Sequence, residues 1–307
     1  MPEMRLLTDK LRFPEGPIAM RDGSVIVVEI QSGTLTRVAP DGEVTEIADT
    51  GGGPNGAAIG PDGKVYICNN GGFLWSLIEG MVSPGHQPPD YIGGRIQRVD
   101  IASGKVEDVY TECNGNPLKG PNDIVFDDKG GFYFTDLGKG RARDVDRAGV
   151  YYALADGSSI REIVYGLDHL NGIALSPDGS RLYAVETITS RLWYWDIESP
   201  GVLKPPQTPY APGDILGSLP GWQLFDSMAV DSEGNICVAT LMTGAITVFG
   251  PKGEVLDQIK VPEKDIWVTN ICFGGPDLRT AYVTSSGLGR LYAFEWHCPG
   301  LRLNYEA

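Results

Sequence analysis

The chain has 307 residues, 42% of them hydrophobic and 9% aromatic, which is ample for a core, and no apolar run reaches the 18 residues a membrane span needs. Its net charge of −15, with no cluster of Lys and Arg to break it, excludes a phosphate-binding nucleic-acid surface. Five cysteines without a Cys-x-x-Cys exclude a disulfide framework, while 41 Gly and 22 Pro favour many tight turns and an all-β architecture.

Taken in order, residues 3–9 form an isolated strand-like segment, with no apolar leader core before or within it. Such a segment suits pairing with the last unit of a closed ring, which removes an exposed edge. Together with the free thiols it points to a cytoplasmic protein. The first unit is FPEGPIAMRDGSVIVVEI followed by GTLTRVAPDGEVTEIA, with β-branched runs joined at Asp22-Gly23 and Asp41-Gly42. PNGAAIGPDGKVYICNN opens the second unit. The excursion 71–94, rich in Gly, Pro and aromatics, reads as an ordered loop rather than a strand, and GRIQRVD and KVEDVY then form a hairpin. The third unit is PNDIVFDDKGGFYFTD with GVYYALADGSSIREIVYG, and the fourth is LNGIALSPDGSRLYAVET with SRLWYWDIES. Proline-rich residues 199–221 read as irregular. FDSMAVDSEGNICVAT and NICFGGPDLRTAYVTSS open the fifth and sixth units.

One frame runs through all of these. Glu15, Asn55, Asn122, Asn171 and Asp226 each stand eight residues before a turn glycine: Gly23, Gly63, Gly130, Gly179 and Gly234. In the sixth copy Asn270 precedes Asp277 by the seven residues that separate Asn171 from Asp178, although the glycine is gone. Units of about 40–65 residues, each with about four strands, have the size of propeller blades. The expectation is a six-bladed β-propeller, with four-stranded antiparallel blades, in a single domain over 1–307, closed by the N-terminal strand.

In such a ring the innermost strands line an axial channel, so the six repeated residues face one axis. Asn and Asp also cap turns at loop-to-strand junctions, which is the bland reading of any one of them. As a set they are all oxygen donors, with neither His nor Cys, and two of them, Glu15 and Asp226, carry the charge that balances one divalent ion. Hard oxygen ligands select Ca²⁺ first, with Mg²⁺, Mn²⁺ or Zn²⁺ as alternatives.

FPEGP, PNDIVFDDKGGFYFTD, LNGIALSPDGSRLYAVET and FDSMAVDSEGNICVA resemble, in order, the motifs of the regucalcin (senescence marker protein)/gluconolactonase family of six-bladed propellers. The resemblance spans Phe13 to the PGLRLNY tail. It implies a divalent cation held by Glu15, Asn171 and Asp226, an Asn122 that touches substrate or completes the metal shell, and hydrolysis of a sugar or hydroxy-acid lactone. The residues permit that chemistry: a cation polarises the carbonyl, Asp226 takes a proton from water or attacks directly as in the related diisopropyl fluorophosphatase type, and Asn122 steadies the developing charge. Two positions depart from the family. Animal-type members carry an arginine where this chain has Gly120, and Ala229 replaces the acid of a second calcium site, which is therefore expected to be missing.

Rim candidates for binding a small-molecule substrate are Asn55, Asn270, His169, Tyr91 and Trp222, with Phe225 and Trp267 as further aromatics; for each, packing is the alternative. Asn69 and Asp136 end second strands and read as turn residues. No Gly-x-Ser-x-Gly elbow or P-loop occurs, which argues against a serine triad. The leading reading is a metal-dependent lactonase. Its rivals are the same centre acting on an aryl ester, a phosphotriester or an enolate, and a non-catalytic ligand-binding propeller. The oligomeric state is left open.

Overall fold

The structure, a computed structural model, describes residues 3–306. Among these residues there are strands and turns but no helix, and hence no helix long and apolar enough to cross a membrane. Six antiparallel sheets form the blades of a β-propeller. Their innermost strands are Pro14–Ala19, Pro54–Ile59, Pro121–Phe126, Leu170–Leu175, Leu224–Val230 and Val268–Gly274. Each packs against the next, and the last against the first, so the ring is closed.

Closure is as the sequence implies. Arg5–Thr8 is the outermost strand of the sixth blade, pairing Arg5 with Ala293 on Arg290–Glu295. The remaining free edges are outer strands such as Val44–Asp49, where Ala48 alone is buried, as fits a surface strand.

The repeated turn has a local cause. Asp22, Asp62, Asp178 and Asp277 each accept a hydrogen bond from the backbone N–H two residues on, which folds the chain back by itself. The following residue must then be left-handed. Gly23, Gly63 and Gly179 supply that at φ 84°, 73° and 67°, and in the sixth blade Leu278 adopts φ 59° in the glycine's place. The frame outlives its glycine.

Two expectations are corrected. The excursion 71–94 contains a hairpin, Trp75–Ile78 paired with Met81–Pro84, because its Glu79-Gly80 turn is left-handed at both positions. Within 199–221, Asp214–Ser218 completes the fourth blade as an outer strand on Arg191–Ser199, and Val202–Leu203 pairs farther along the same strand. Prolines cluster before Asp214 rather than in the strand, so none removes a ladder N–H there, although the pairing shifts register between Leu192 and Trp193.

The core lies between blades. Tyr66, Phe126, Phe132, Phe134 and Tyr151 fill the gap between the second and third, with Tyr66 edge-on to Phe126 at 5.1 Å. Truncating a buried ring such as Phe132 would cost about 3–5 kcal/mol.

Candidate metal centre

The loops before the inner strands and those between second and third strands share one face, here called upper. The first-to-second-strand turns share the lower face. At the upper end of every inner strand the register shifts: between Glu15 and Ile18, Pro54 and Ala57, Pro121 and Ile124, Leu170 and Ile173, Phe225 and Met228, and Val268 and Asn270. A bulge re-aims the side chain it contains. Asn55, Asn122, Asn171 and Asp226 lie within these bulges, and Glu15 and Asn270 stand at the edges of theirs, paired with Val28 and Thr284. The residue after three of them is glycine for a steric reason. A Cβ on Gly16 would lie 2.6 Å from Asn55 O, one on Gly56 2.5 Å from Asn122 O, and one on Gly172 2.8 Å from Asp226 O. Glycine lets the inner strands close up and draw the donors together.

Glu15, Asn55, Asn122, Asn171 and Asn270 are all buried. Asp226 keeps some surface on the narrow channel, although its carboxylate is enclosed by protein. Glu15 Oε2 accepts from Gly16 N at 2.6 Å and from Asn270 Nδ2 at 2.7 Å. Asn270 Oδ1 is taken by Ile271 N, so Asn270 braces Glu15 rather than offering an oxygen to the axis. Asn171 donates to Thr187 Oγ1, and its Oδ1 meets only the Ser227 hydroxyl at 3.5 Å. Glu15 Oε1 and Asn122 Oδ1 have no partner at all. They are two of six such side-chain atoms among the described residues, both on the channel. An unpaired buried oxygen costs about 1–3 kcal/mol, which a ligand would offset.

A third carboxylate, Asp123, falls outside the repeated frame and is missed by it. It follows Asn122 where the first, second and fourth blades have glycine, and that substitution in the repeat is the signal that could have found it. Burial pushes Glu15 and Asp123 up to about 7, and in Glu15 the Asn270 bond partly opposes the rise. Burial and then the charges of Glu15 and Asp123 push Asp226 well above the usual carboxylate range. Three acids crowded on one axis, without a base, are electrostatically suited to a cation.

The upper loops are held from the second strands. Glu29 accepts from Arg12 N, Asn69 from Gly53 N, Asp136 from Lys119 and Gly120 N, and Glu186 from Asp168 N. Asn69 and Asp136 thus fasten loops, the turn-type role expected of them. Phe13 and His169, each two residues before a channel residue, are left-handed at φ 55° and 52°. His169 Nδ1 is paired with the Asp168 carboxylate beside it.

The 75–84 hairpin arches from the second blade over the first to the sixth. Val82 N bonds Gly287 O at 2.8 Å, Trp267 Nε1 bonds Ser83 Oγ at 3.0 Å, and the Phe13 ring lies 5.0 Å from Trp75 and 6.1 Å from Trp267. It caps part of the upper mouth. Beneath the same excursion Lys139, 1% exposed, bonds Gly72 O and Asn70 Oδ1 and lies over Phe73 at 4.1 Å; burial pulls its ammonium down to about 7. Tyr91 donates to Lys119 O and so braces this loop. Trp222 is 65% exposed on the upper rim, and Phe225 is packed against Phe249 in the core. A Cβ on Gly120 would lie 2.4 Å from Gly138 O, so the loop leaves no room for an arginine there.

One further cluster, Asp231, His297 and Cys298, has potential ligand atoms within 4.8 Å of one another. Asp231 is already saturated by Glu233 N, Asn235 N and Nδ2 and Trp296 Nε1, as a turn aspartate would be.

Fold and channel together define a six-bladed propeller with an oxygen-lined axis. The profile of the SMP-30/gluconolactonase/LRE-like region matches residues 13–287, and the chain belongs to that family. It is 32% identical to lactonase drp35 of Staphylococcus saprophyticus over 253 residues, covering 82% of this chain and 70% of the relative. The fold is shared with a gluconolactonase from Xanthomonas campestris (TM-score 0.75, 23% identity, 96% and 89% of the two chains). It is shared equally with a calcium-binding regucalcin from Agrobacterium tumefaciens (TM-score 0.74, 19% identity, 98% of each chain).

Proposed function

We propose that this protein hydrolyses a lactone at the upper end of the channel with the help of one divalent cation. The observation that carries the reading is the pair of unpartnered buried oxygens, Glu15 Oε1 and Asn122 Oδ1, in a ring of hard donors. Glu15, Asn171 and Asp226 would hold the ion. When bound, it supplies Lewis acidity toward a carbonyl oxygen and toward water. Asn270 and Gly16 fix the Glu15 carboxylate, so its free oxygen is presented without side-chain reorganisation. Asp226, holding the ion through one carboxylate oxygen, would accept the proton of the attacking water with the other. The Asn122 amide is placed to hydrogen-bond the substrate oxygen on which charge develops. The family relationship and the lactonase relative support the reaction class.

A second reading concerns the substrate. Gly120 cannot supply a hydroxyl-gripping arginine, and Phe13, Trp75 and Trp267 pack together beneath the hairpin beside the channel mouth. These favour a lactone or aryl ester with an apolar face over a polyhydroxylated sugar lactone.

The test is metal content and metal-restored hydrolysis of wild type and Asp226→Asn on aldonolactones, aliphatic lactones and aryl esters. The expected outcome is about one divalent ion per chain in the wild type and a loss of turnover of about 10²-fold or more in the variant. A protein that binds no divalent ion would sink the proposal, leaving a ligand-binding propeller.

A further inference from the structure

We propose that the lower end of the channel is a second ligand site, a chamber closed by the strap 299–306, which takes a small molecule with an apolar body and a cationic head. The chamber has a volume of about 980 Å³, within the range of small-molecule sites. Ile18, Ile59, Phe126, Leu175, Met228 and Phe273 contribute its walls, and its roof includes Asp123.

The strap spans the opening. It is tied on one side by Gly300 N to Leu278 O and Leu301 N to Val230 O, in the sixth and fifth blades. On the other side Asn304 Nδ2 bonds Phe126 O at 2.9 Å, and the Tyr305 ring stands edge-on to Phe126 at 5.7 Å, in the third blade. Arg302 and Leu303, between these anchors, are exposed. Leu301 and Tyr305 pack on the core at its two ends, so the strap would open through its exposed middle rather than by releasing both anchors.

The head group follows from the charges facing the chamber. Asp22 pairs with Arg37, Asp128 with Lys129, and Glu306 with Arg21 and Arg302. Asp127 and Asp178 are held by their own turns, with Tyr152 added at Asp127. Asp123 has Ile124 N and a long bond of 3.4 Å from Ile173 N, and no cation. A divalent ion in the proposed centre balances Glu15 and Asp226 and leaves the Asp123 charge over. That step rests on the proposed centre; the volume, lining and strap do not.

The experiment is calorimetric titration of the metal-loaded full chain with octylamine and, separately, octanoate, with metal content measured for every variant. Wild type should bind one octylamine per chain, with octanoate weaker by about tenfold or more. Ala229→Phe, which fills the chamber from its wall, should remove octylamine binding and leave metal content and lactone turnover unchanged. Asp123→Asn should abolish the preference for the amine. If Ala229→Phe does not fold, Tyr305→Ala decides: loosening the strap should raise both binding and release rates severalfold. Absence of saturable octylamine binding, equal binding of the two probes, unaltered binding or rates in these variants, or a second divalent ion that competes with the amine would each overturn the proposal. The octylamine, Ala229→Phe and Tyr305→Ala outcomes leave the lactone hydrolysis proposed at the upper end untouched.

Discussion

At its upper end the channel presents Glu15 Oε1 and Asn122 Oδ1 without partners, whereas at its lower end Asp22, Asp62, Asp178 and Asp277 are each satisfied by their own turns. The same six strands build both ends. What differs is whether polar groups are completed by the chain or left for something else. The upper end accordingly looks outward for charge, and the lower end offers volume, an apolar wall and the single carboxylate of Asp123 in its roof. Unfinished hydrogen bonding is therefore the more informative mark of polar chemistry, and leftover space the mark of shape recognition.

The contrast can be broken most forcefully with pH. Glu15 and Asp123, raised from 4.5 and 3.8 to about 7, bind protons more tightly in the folded than in the unfolded chain. The stability they contribute is complete below about pH 4 and is lost as pH rises through about 7. Metal-free protein should thus lose several kcal/mol from this source over that window (on the order of 1.4 kcal/mol for each tenfold difference in proton affinity between the folded and unfolded chain), and a divalent cation should restore stability near pH 8 but add little at pH 4. Urea titrations across pH, with and without Ca²⁺, measure it, and Glu15→Gln should flatten the curve. A wild-type curve already flat would mean that the upper acids are not frustrated.

A smaller effect tests the rigidity of the upper loops. Gly120→Arg should destabilise by about 1–3 kcal/mol through its clash with Gly138 O, without gaining aldonolactone turnover. Unchanged thermal stability together with new turnover would show that this face remodels readily. The smallest expected effect is at the lower face. Leu278→Asn exchanges a branched side chain for one that tolerates the left-handed region, and its stability should stay within about 0.5 kcal/mol of wild type or rise slightly. A loss beyond that would mean that Leu278 matters more to chamber packing than to its turn.

Much of this was legible because the turns are self-encoding. An aspartate that captures a backbone N–H two residues on, followed by a glycine, marks every blade that keeps it, and the oxygen-bearing residue eight positions earlier marks the channel. Asn270 shows the limit. Its side-chain type was visible, but not that its amide is engaged with Glu15, because that pairing joins residues at opposite ends of the chain. Asp123 was hidden for a different reason: only comparison with Gly16, Gly56 and Gly172 makes it exceptional. The 75–84 hairpin and Lys139 were not legible, since Gly and Pro mark turns equally well inside a loop or a small sheet, and a buried lysine needs a roof before it can be recognised.

The seam in the sixth blade has a consequence for the order of folding. Because Arg5 pairs with Ala293, the ring cannot close until nearly all of the chain has emerged. Earlier blades can form as neighbours while the first strand waits unpaired, a non-local closure that slows folding and leaves an edge exposed meanwhile. The drawing together of Glu15 and Asn270 across the same seam is then among the last events of folding. A cation that gathers those oxygens would act as a latch on the finished ring.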